Sequence, residues 1–385
     1  MKFHPFSAVA KVVTGKTPST FNNAFYGGSI PFVTPPELDR ANPILVTKTQ
    51  LTEEGANSVT RIPKDSVMVS CIGSLGKIGI AGVELCTNQQ INSLVFNTEI
   101  VVPRYGYHFC KTLKQNLDVI APSTTLPIIN KSRFSKIEIP LPSLPEQRRI
   151  AAILDKADAL RAKRREAIAK LDQLLQVVFL DMFGDPVANP KGWNSGKIGD
   201  LLESVKYGSS EKADLTGTIP MLRMNNITYS GEMDLSNLKY VSPDGSTEEK
   251  YLVSPGDLLF NRTNSKELVG KTAVYEGPVP MSYAGYLVRG RTKLGNAPEY
   301  ISAYLNSSFG KEKLRAMCKS IIGMANINAK EFAGISIPIP PVELQRKFQE
   351  RVQAFRGQKA GLVAQATKIE SLFASLQQRA FNGSL

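Results

Sequence analysis

The feature that most constrains this chain is an internal repeat, because one proline-rich stretch occurs twice at a fixed distance. An Ile-x-Ile-Pro-x-Pro segment at 137–142 returns at 335–340, and the glutamine that follows it, Gln147, returns as Gln345. Both matches have an offset of 198 residues. Two copies with so long a period predict a pseudo-two-fold molecule rather than a stacked array of short repeats.

Each copy is predicted to consist of a variable block followed by a long helix. Residues 143–183 contain no glycine, and Gly184 and Pro186 then provide a stop signal. A second helix is predicted from Val342 onwards, and both helices carry apolar residues at the heptad spacing of a coiled coil. The predicted seam consists of Ile150, Ile153, Leu160, Leu171, Leu174 and Val178 in the first helix and Phe348, Phe355, Leu362, Ile369 and Leu376 in the second.

The blocks before the helices alternate short apolar runs with glycine, proline and asparagine turn signals, which favours β-rich domains. Shorter helices are predicted near 107–117 and 300–318. The predicted fold class is therefore α+β with a pseudo-two-fold internal repeat. The predicted boundaries are 1–142 for the first β-rich domain, 143–187 for the central helix, 188–341 for the second β-rich domain and 342–385 for the C-terminal helix.

Composition indicates the kind of partner. The chain has 47 Lys and Arg residues against 34 Asp and Glu residues, a net charge of +13, which favours a polyanionic partner such as nucleic acid. Its 4 cysteines and 2 histidines have no metal-ligand spacing, so we predict no metal site and reduced thiols. No stretch approaches the roughly 20 apolar residues of a membrane span. These features predict a cytoplasmic protein without membrane contact.

Catalytic motifs are incomplete. The Gly-Lys-Thr sequences at 15–17 and 270–272 lack the earlier glycine of a phosphate-binding loop. The acidic residues within 244–249 lie too close together in sequence to share a metal from adjacent strands. Residues 34–37, Thr-Pro-Pro-Glu, lack the amide and the aromatic ring with which adenine methyltransferases hold a flipped base. We therefore predict no catalytic residue in this chain.

Two variable blocks, each closed by the proline segment and a long helix that begins with Gln-Arg, resemble the specificity (S) subunit of type I restriction-modification enzymes. The second helix opening departs from the usual Leu-Pro-Glu-Gln pattern and keeps only Gln345 with its arginine. The motifs that carry the resemblance are Gly15-Lys16-Thr17-Pro18, Gly28-Ser29-Ile30-Pro31-Phe32-Val33, Leu51-Thr52-Glu53-Glu54-Gly55, Asn88-Gln89-Gln90 and Leu144-Pro145-Glu146-Gln147-Arg148.

The resemblance implies that each block is a target recognition domain that reads one half of a bipartite double-stranded DNA target. It implies that the two helices pair as an antiparallel coiled coil, act as a spacer and dock two modification (methyltransferase) subunits, with restriction subunits as further candidate partners. Catalysis would then belong to the partners, which would bind S-adenosylmethionine and ATP with Mg. This chain would be a non-enzymatic DNA reader that binds no cofactor itself.

Polar residues in loops between apolar runs are the candidates for DNA contact. Arginine suits guanine and asparagine suits adenine, while Lys77 and Lys271, each after a glycine, suit phosphate. The alternative for each residue is an ordinary turn-forming role. The candidates are Asn22, Asn23, Ser74, Lys77, Ser123, Thr124 and Thr125 in the first block and Arg223, Asn225, Asn226, Arg262, Thr263, Asn264, Lys266 and Lys271 in the second.

Two other classes of protein remain as alternatives. One is a complete methyltransferase or restriction enzyme in a single chain, against which the missing cofactor loop argues. The other is a coiled-coil scaffold that binds proteins only, against which the excess of positive charge and the paired variable blocks argue. A bipartite methylated motif that depends on this chain would separate the DNA reader from both.

Overall fold

A computed structural model describes residues 1–40, 42–114, 117, 127–242, 249–321 and 324–385. The chain forms two compact units. The first unit comprises Met1–Glu166 together with Val363–Leu385, and the second comprises Ala167–Leu362. Each unit therefore contains one β-rich block and parts of both long helices.

The first β-rich block is built on two four-stranded sheets, ordered β2-β9-β6-β7 and β4-β3-β8-β5, and a two-stranded sheet of β1 and β10. Strand β3 pairs in parallel with β8, and the other pairs are antiparallel. The strands are β1 (Lys2–Pro5), β2 (Ala10–Thr14), β3 (Tyr26–Val33), β4 (Gln50–Leu51), β5 (Arg61–Ile62), β6 (Val67–Ser70), β7 (Ile78–Ile80), β8 (Leu85–Thr87), β9 (Ile91–Phe96) and β10 (Glu138–Leu141), and the α-helices are α1 (Phe6–Val9), α2 (Glu53–Asn57), α3 (Pro103–Thr112) and α4 (Lys131–Ser135).

The central helix α5 (Leu144–Phe183) begins one residue after the predicted boundary at 143 and ends directly before the predicted stop signal at Gly184. Its end is set by Gly184, which has a φ of +78° and donates its N–H to Leu180 O at 2.8 Å. A left-handed glycine just after the last helical turn is a common helix terminator, because it has no Cβ to oppose that conformation.

The second β-rich block repeats the plan of the first. Its four-stranded sheets have the orders β12-β20-β16-β18 and β14-β13-β19-β15, and β11 pairs with β23. A three-stranded sheet, β17-β22-β21, is added. The elements are β11 (Asn194–Lys197), α6 (Ile198–Leu201), β12 (Leu202–Tyr207), β13 (Ile219–Leu222), β14 (Lys239–Val241), β15 (Leu252–Val253), β16 (Leu258–Asn261), β17 (Thr263–Asn264), β18 (Thr272–Val274), β19 (Met281–Tyr283), β20 (Leu287–Thr292), α7 (Pro298–Asn306), α8 (Ser308–Met317), β21 (Lys319–Ile321), β22 (Met324–Asn326), α9 (Ala329–Ala333), β23 (Ser336–Ile339) and the final helix α10 (Val342–Asn382).

Two of the shorter helices differ from prediction. The first, α3, lies a few residues earlier than the predicted 107–117. The predicted helix at 300–318 is divided into α7 and α8 at Ser307, whose Oγ caps the second helix by accepting from Gly310 N at 3.0 Å. Serine competes with the helical backbone for hydrogen bonds, and so it favours helix starts over helix interiors.

Within each unit the two long helices run antiparallel. In the first unit Arg149 Nη2 donates to Leu385 O at 2.7 Å, and Arg161 contacts Glu370, so rising numbers in one helix meet falling numbers in the other. In the second unit the rings of Phe183 and Phe348 lie 5.3 Å apart. The α+β plan with two β-rich blocks and two long helices is confirmed.

The residues of the predicted heptad seam differ in burial. Ile150 and Phe348 are buried, whereas Leu160 and Leu174 are 58% and 43% exposed and depart from the predicted seam. In the first unit the inward face includes Leu154 and continues to Arg161, because the helix packs against the β-rich block as well as against α10. The remaining predicted seam residues, Ile153, Leu171, Val178, Phe355, Leu362, Ile369 and Leu376, are half-buried.

Candidate nucleic-acid interface

The two β-rich blocks carry the same backbone hydrogen bonds at the ends of the inner strands β6 and β16. There one residue donates its N–H to the segment before β9 or β20 and accepts from the segment before α4 or α9. We name these two places the first and the second reading edge. The matched bonds are Cys71 N to Gln90 O (2.8 Å) and Ile129 N to Cys71 O (2.8 Å) in the first block, and Arg262 N to Tyr286 O (3.0 Å) and Ile327 N to Arg262 O (2.9 Å) in the second.

Matched glycines lie beside both reading edges. Gly15 N donates to Ile91 O at 3.1 Å, and Gly208 N donates to Leu287 O at 3.2 Å. A Cβ at either glycine would lie about 2.3 Å from a backbone carbonyl oxygen of the neighbouring strand, which is far too close. Gly15, part of the Gly-Lys-Thr sequence set aside above as a phosphate loop, is therefore required by close backbone packing.

At the second reading edge, Arg262 is half-buried and lies beside aromatic side chains. Its guanidinium lies 5.0 Å from the ring centre of Tyr207, and it donates to Gly285 O and Asn326 Oδ1, each at 3.3 Å. Tyr207 and Tyr286 beside it are 45% and 50% exposed. The guanidinium of Arg262 is thus held by two long hydrogen bonds beside exposed aromatic surface.

The other predicted residues at this edge have mixed positions. Thr263 is buried and accepts from Asn326 Nδ2 at 3.3 Å, and Asn264 Oδ1 accepts from Ser265 N at 2.9 Å. Lys266 is exposed. The structure thus brings Arg262, Thr263 and Asn264 to one edge, with Lys266 next to them in sequence.

Asn226 and Lys271 have structural roles in the second block. The amide of Asn226 donates to Asp234 O at 2.8 Å, and its Oδ1 accepts from Arg223 N at 2.9 Å. Lys271 Nζ donates to the carbonyl oxygens of Met224 and Ile227 at 2.8 and 2.5 Å, and burial lowers its pKa. Since these contacts use two of its three donors, Lys271 departs from its predicted role as a phosphate contact.

Arg223 and Asn225 lie on the loop that Asn226 holds. Arg223 is half-buried and donates through Nη2 to Asn237 O at 3.0 Å, whereas Asn225 is exposed. Arg223 therefore helps to fix the fold of the loop, and Asn225 is the member of this group with an accessible amide.

In the first block the predicted residues are distributed over several loops. Asn22 caps a short helical turn by accepting from Ala24 N at 3.1 Å, and Asn23 is exposed. Ser74 is exposed, and Lys77 donates its backbone N–H to Ser70 Oγ at 2.9 Å. The remaining candidates, Ser123, Thr124 and Thr125, lie outside the described residues.

The DNA-contact candidates drawn from the sequence do not include the glutamines at the first reading edge, which are quoted there only as a family motif. At the first reading edge Gln89 is exposed and accepts from Thr17 Oγ1 at 2.6 Å, while Gln90 Oε1 accepts from Asn88 Nδ2 at 2.9 Å. Glutamine amides suit adenine. The signal that could have found them is the run of three amide residues directly before strand β9.

In each unit, one buried glutamine attaches the β-rich block to its helix. Gln147 accepts from Val102 N at 2.8 Å and donates to the carbonyl oxygens of Ile100 and Pro142 at 2.9 and 3.0 Å. Gln345 repeats this arrangement with Ala297 N at 3.2 Å and Pro340 O at 2.9 Å. The repeated Gln-Arg signature therefore marks a joint between block and helix.

No membrane-spanning helix occurs in the described parts of the chain. Among those same residues, no three His, Cys, Asp or Glu side chains are placed to hold a metal ion together. Burial raises the pKa of the Cys71 and Cys86 thiols to about 11. These two buried cysteines are thus poor nucleophiles at neutral pH.

Comparisons with known proteins agree with the internal repeat. The family model for the type I restriction modification DNA specificity domain matches residues 4–170 and 190–370. The MjaIX type I restriction enzyme specificity subunit of Methanocaldococcus jannaschii is 26% identical over 375 residues, with 90% of this chain and 84% of the relative covered.

Two solved structures share the fold. A chain from a study of complex assembly and conformational transition of the type I R-M system has a TM-score of 0.59 at 18% identity, covering 100% of this chain and 98% of that chain. The crystal structure of a type I restriction-modification S subunit from M. genitalium has a TM-score of 0.58 at 14% identity, covering 99% of this chain and 96% of that one. With two matches to one family model across most of its length, the chain belongs to the family of type I restriction-modification DNA specificity proteins, as its sequence predicted.

Proposed function

We propose that this chain is the non-catalytic DNA specificity subunit of a type I restriction-modification complex, in which each β-rich block reads one half of a bipartite double-stranded target. The observation that carries the proposal is the pair of matched reading edges in a chain with two copies of one DNA specificity domain. A repeated framework with different side chains, Cys71 and Gln90 against Arg262 and Tyr286, suits two readers with different targets.

Net charge and side-chain chemistry support DNA as the ligand. The net charge of +13 favours binding to the phosphate backbone, which supplies most of the salt-dependent affinity of DNA-binding proteins. Arg262, Gln89 and Gln90 offer the donor and acceptor groups that read base edges in the major groove. The proposed domain boundaries are those predicted from the sequence: 1–142, 143–187, 188–341 and 342–385.

The long helices are proposed to hold two modification subunits, with restriction subunits as further partners. Exposed apolar side chains on the helices support a docking role, because such clusters commonly mark protein interfaces. In the first unit these include Leu160, Val363 and Leu372, and in the second they include Leu174, Val177 and Leu180. The partners would bind S-adenosylmethionine and ATP with Mg, and the complex would act in the cytoplasm.

The proposal is tested by expressing the chain with the methyltransferase encoded beside it and sequencing the methylated bases of the host genome. We expect one bipartite motif that disappears when this chain is deleted. Replacing residues 188–340 with the block of a relative should change one half-site and leave the other intact. Absence of a motif dependent on this chain, or a change in both half-sites, would refute the two-reader function.

The spacer role has a separate test. Removing two heptads from each helix should change the number of base pairs between the half-sites, because two readers fixed to a rod contact one DNA face only at a set separation. A matched control carries the same number of helical substitutions without a deletion. An unchanged gap in the shortened variant would exclude the spacer role.

A further inference from the structure

Ion pairs between the two long helices obey the internal repeat. In the first unit Arg161 Nε lies 2.8 Å from Glu370 Oε2, and in the second unit Lys359 Nζ lies 2.6 Å from Asp172 Oδ1. Arg161 and Lys359 are 198 residues apart, as are Asp172 and Glu370. The helix-to-helix ion pairs therefore have the same charge arrangement in both units, with the basic residue and the acidic residue at equivalent positions.

In the first unit the β-rich block contributes basic side chains, and the helix contributes acidic side chains, to the joint between them. Arg104 Nε on α3 lies 3.1 Å from Asp155 Oδ1 on α5, and Lys111 Nζ contacts Asp158. His108 Nε2 lies 2.7 Å from the same Asp155 oxygen. Burial alone would raise the pKa of Asp155, but hydrogen bonds from His108 and Arg104 lower it to about 2.

In the second unit the joint has the opposite polarity. The helix α10 contributes Arg356, which contacts Glu276 and lies 3.7 Å from Glu299 Oε1. It also contributes Lys359, whose Nζ lies 2.7 and 2.8 Å from the two carboxylate oxygens of Glu232. Here the block supplies the acidic side chains and the helix supplies the basic side chains.

The reversal falls on positions that the repeat makes equivalent. Asp158 and Arg356 are separated by the 198-residue offset, and Arg104 and Glu299 are each the second residue of the matched helices α3 and α7. Glu299 is 3% exposed, so an unmatched charge at this joint would be desolvated without a partner. With the first block on the second helix start, Lys111 would face Arg356, the equivalent of its partner Asp158. Arg104 would face Gln353, the equivalent of its partner Asp155, and would lose its ion pair.

We propose that the opposite charge polarity of the two joints assigns each recognition domain to its own helix start and excludes the exchanged pairing. Arg104 and Arg356 act as positioning residues in this scheme. Like charges brought together in a partly dry contact repel strongly enough to reject a wrong partner. The inference rests on the proposed function only in naming the blocks recognition domains, because the pairing itself is a property of the fold.

The first test is a charge-exchange cycle in the full chain, measured without DNA. Arg104→Glu and Asp155→Arg are made singly and together, and hydrogen exchange of the α3 amides reports the local opening of the joint. We expect each single variant to raise the opening equilibrium about tenfold and the double variant to return within about threefold of the parent. Arg61→Glu, which breaks ion pairs inside the block, is the control and should not be rescued by Asp155→Arg. A double variant that opens as much as the two single effects combined would overturn the proposal.

The second test places the first domain on the second helix start. Residues 188–340 of the full chain are replaced by a copy of 1–142, with α10 either unchanged or carrying Gln353→Asp and Arg356→Asp, which reproduce the acids of α5. We expect protection of the transplanted domain from exchange, and a methylated motif with two identical half-sites, only with the altered helix. Equal protection with both helices, or protection with neither, would overturn the role of polarity. Protection without a methylated motif would instead count against the proposed function.

Discussion

Replacing Gln345 with leucine should destabilise the second unit severely, because it removes the joint between block and helix while nearly conserving volume. Gln345 is completely buried, and its loss leaves Ala297 N and Pro340 O without their side-chain partner. A buried backbone group left unpaired costs roughly 1–3 kcal/mol. Two such groups predict a fall of about 3 kcal/mol in the free energy of unfolding of this unit.

The chain provides its own probe for this measurement. Trp193 is the single tryptophan, and its Nε1 donates to Phe183 O at 2.8 Å within the second unit. Urea unfolding followed by its fluorescence therefore reports on that unit. With a slope of roughly 2 kcal/mol per M, the midpoint should fall by about 1.5 M.

The matched control is Gln358→Leu, an exposed glutamine on the same helix, for which a change within about 0.5 kcal/mol is expected. If Gln345→Leu shifts the midpoint no more than this control, the buried hydrogen bonds do not hold the joint. The equivalent change Gln147→Leu, in the first unit, should lower stability by far-ultraviolet circular dichroism without the same early loss of the tryptophan signal.

Three further outcomes follow from single side chains. Burial lowers the pKa of His108 below its ordinary 6.5, so near that pH the unfolded chain binds a proton that the folded chain does not bind. The stability of the first unit should therefore fall as the pH drops below about 6.5, and His108→Gln should flatten this dependence in urea titrations. Lys271→Met should lower thermal stability, whereas Lys266→Met should instead reduce the slope of log affinity against log salt by about one, and the reverse pattern would contradict our placement of these lysines. Gly357→Ala should raise the free energy of unfolding by up to about 1 kcal/mol, since an added Cβ meets no atom within 4 Å, and a destabilised variant would show a tight contact there.

The parts of the fold that were predictable depend on local signals. The limits of α5 follow from a stretch without glycine and from the stop at Gly184, and both act within a few residues. The offset of 198 residues then extended the prediction for one half to the other, even where the helix opening around Gln345 departs from the usual pattern. Internal repetition thus supplied information that a single copy would not have contained.

The roles of individual polar residues were not predictable in the same way. Lys271 and Lys266 are the same residue type five positions apart, yet one lies exposed and the other binds carbonyl oxygens of Met224 and Ile227 more than forty residues away in sequence. Likewise Leu160 satisfies the heptad spacing but lies outside the packed face. Such differences arise from tertiary neighbours, which residue spacing does not encode.

The joint glutamines have a consequence for how such a protein can change over generations. The side chain of Gln147 makes three hydrogen bonds to main-chain atoms, those of Ile100, Val102 and Pro142. Main-chain groups are the same whatever side chains surround them. Mutation or recombination can therefore change the surface residues of a block without removing the main-chain partners of this glutamine. The glutamine contact therefore depends on the path of the main chain, whereas the charged contacts of Arg104 and Glu299 depend on the side chains at those positions.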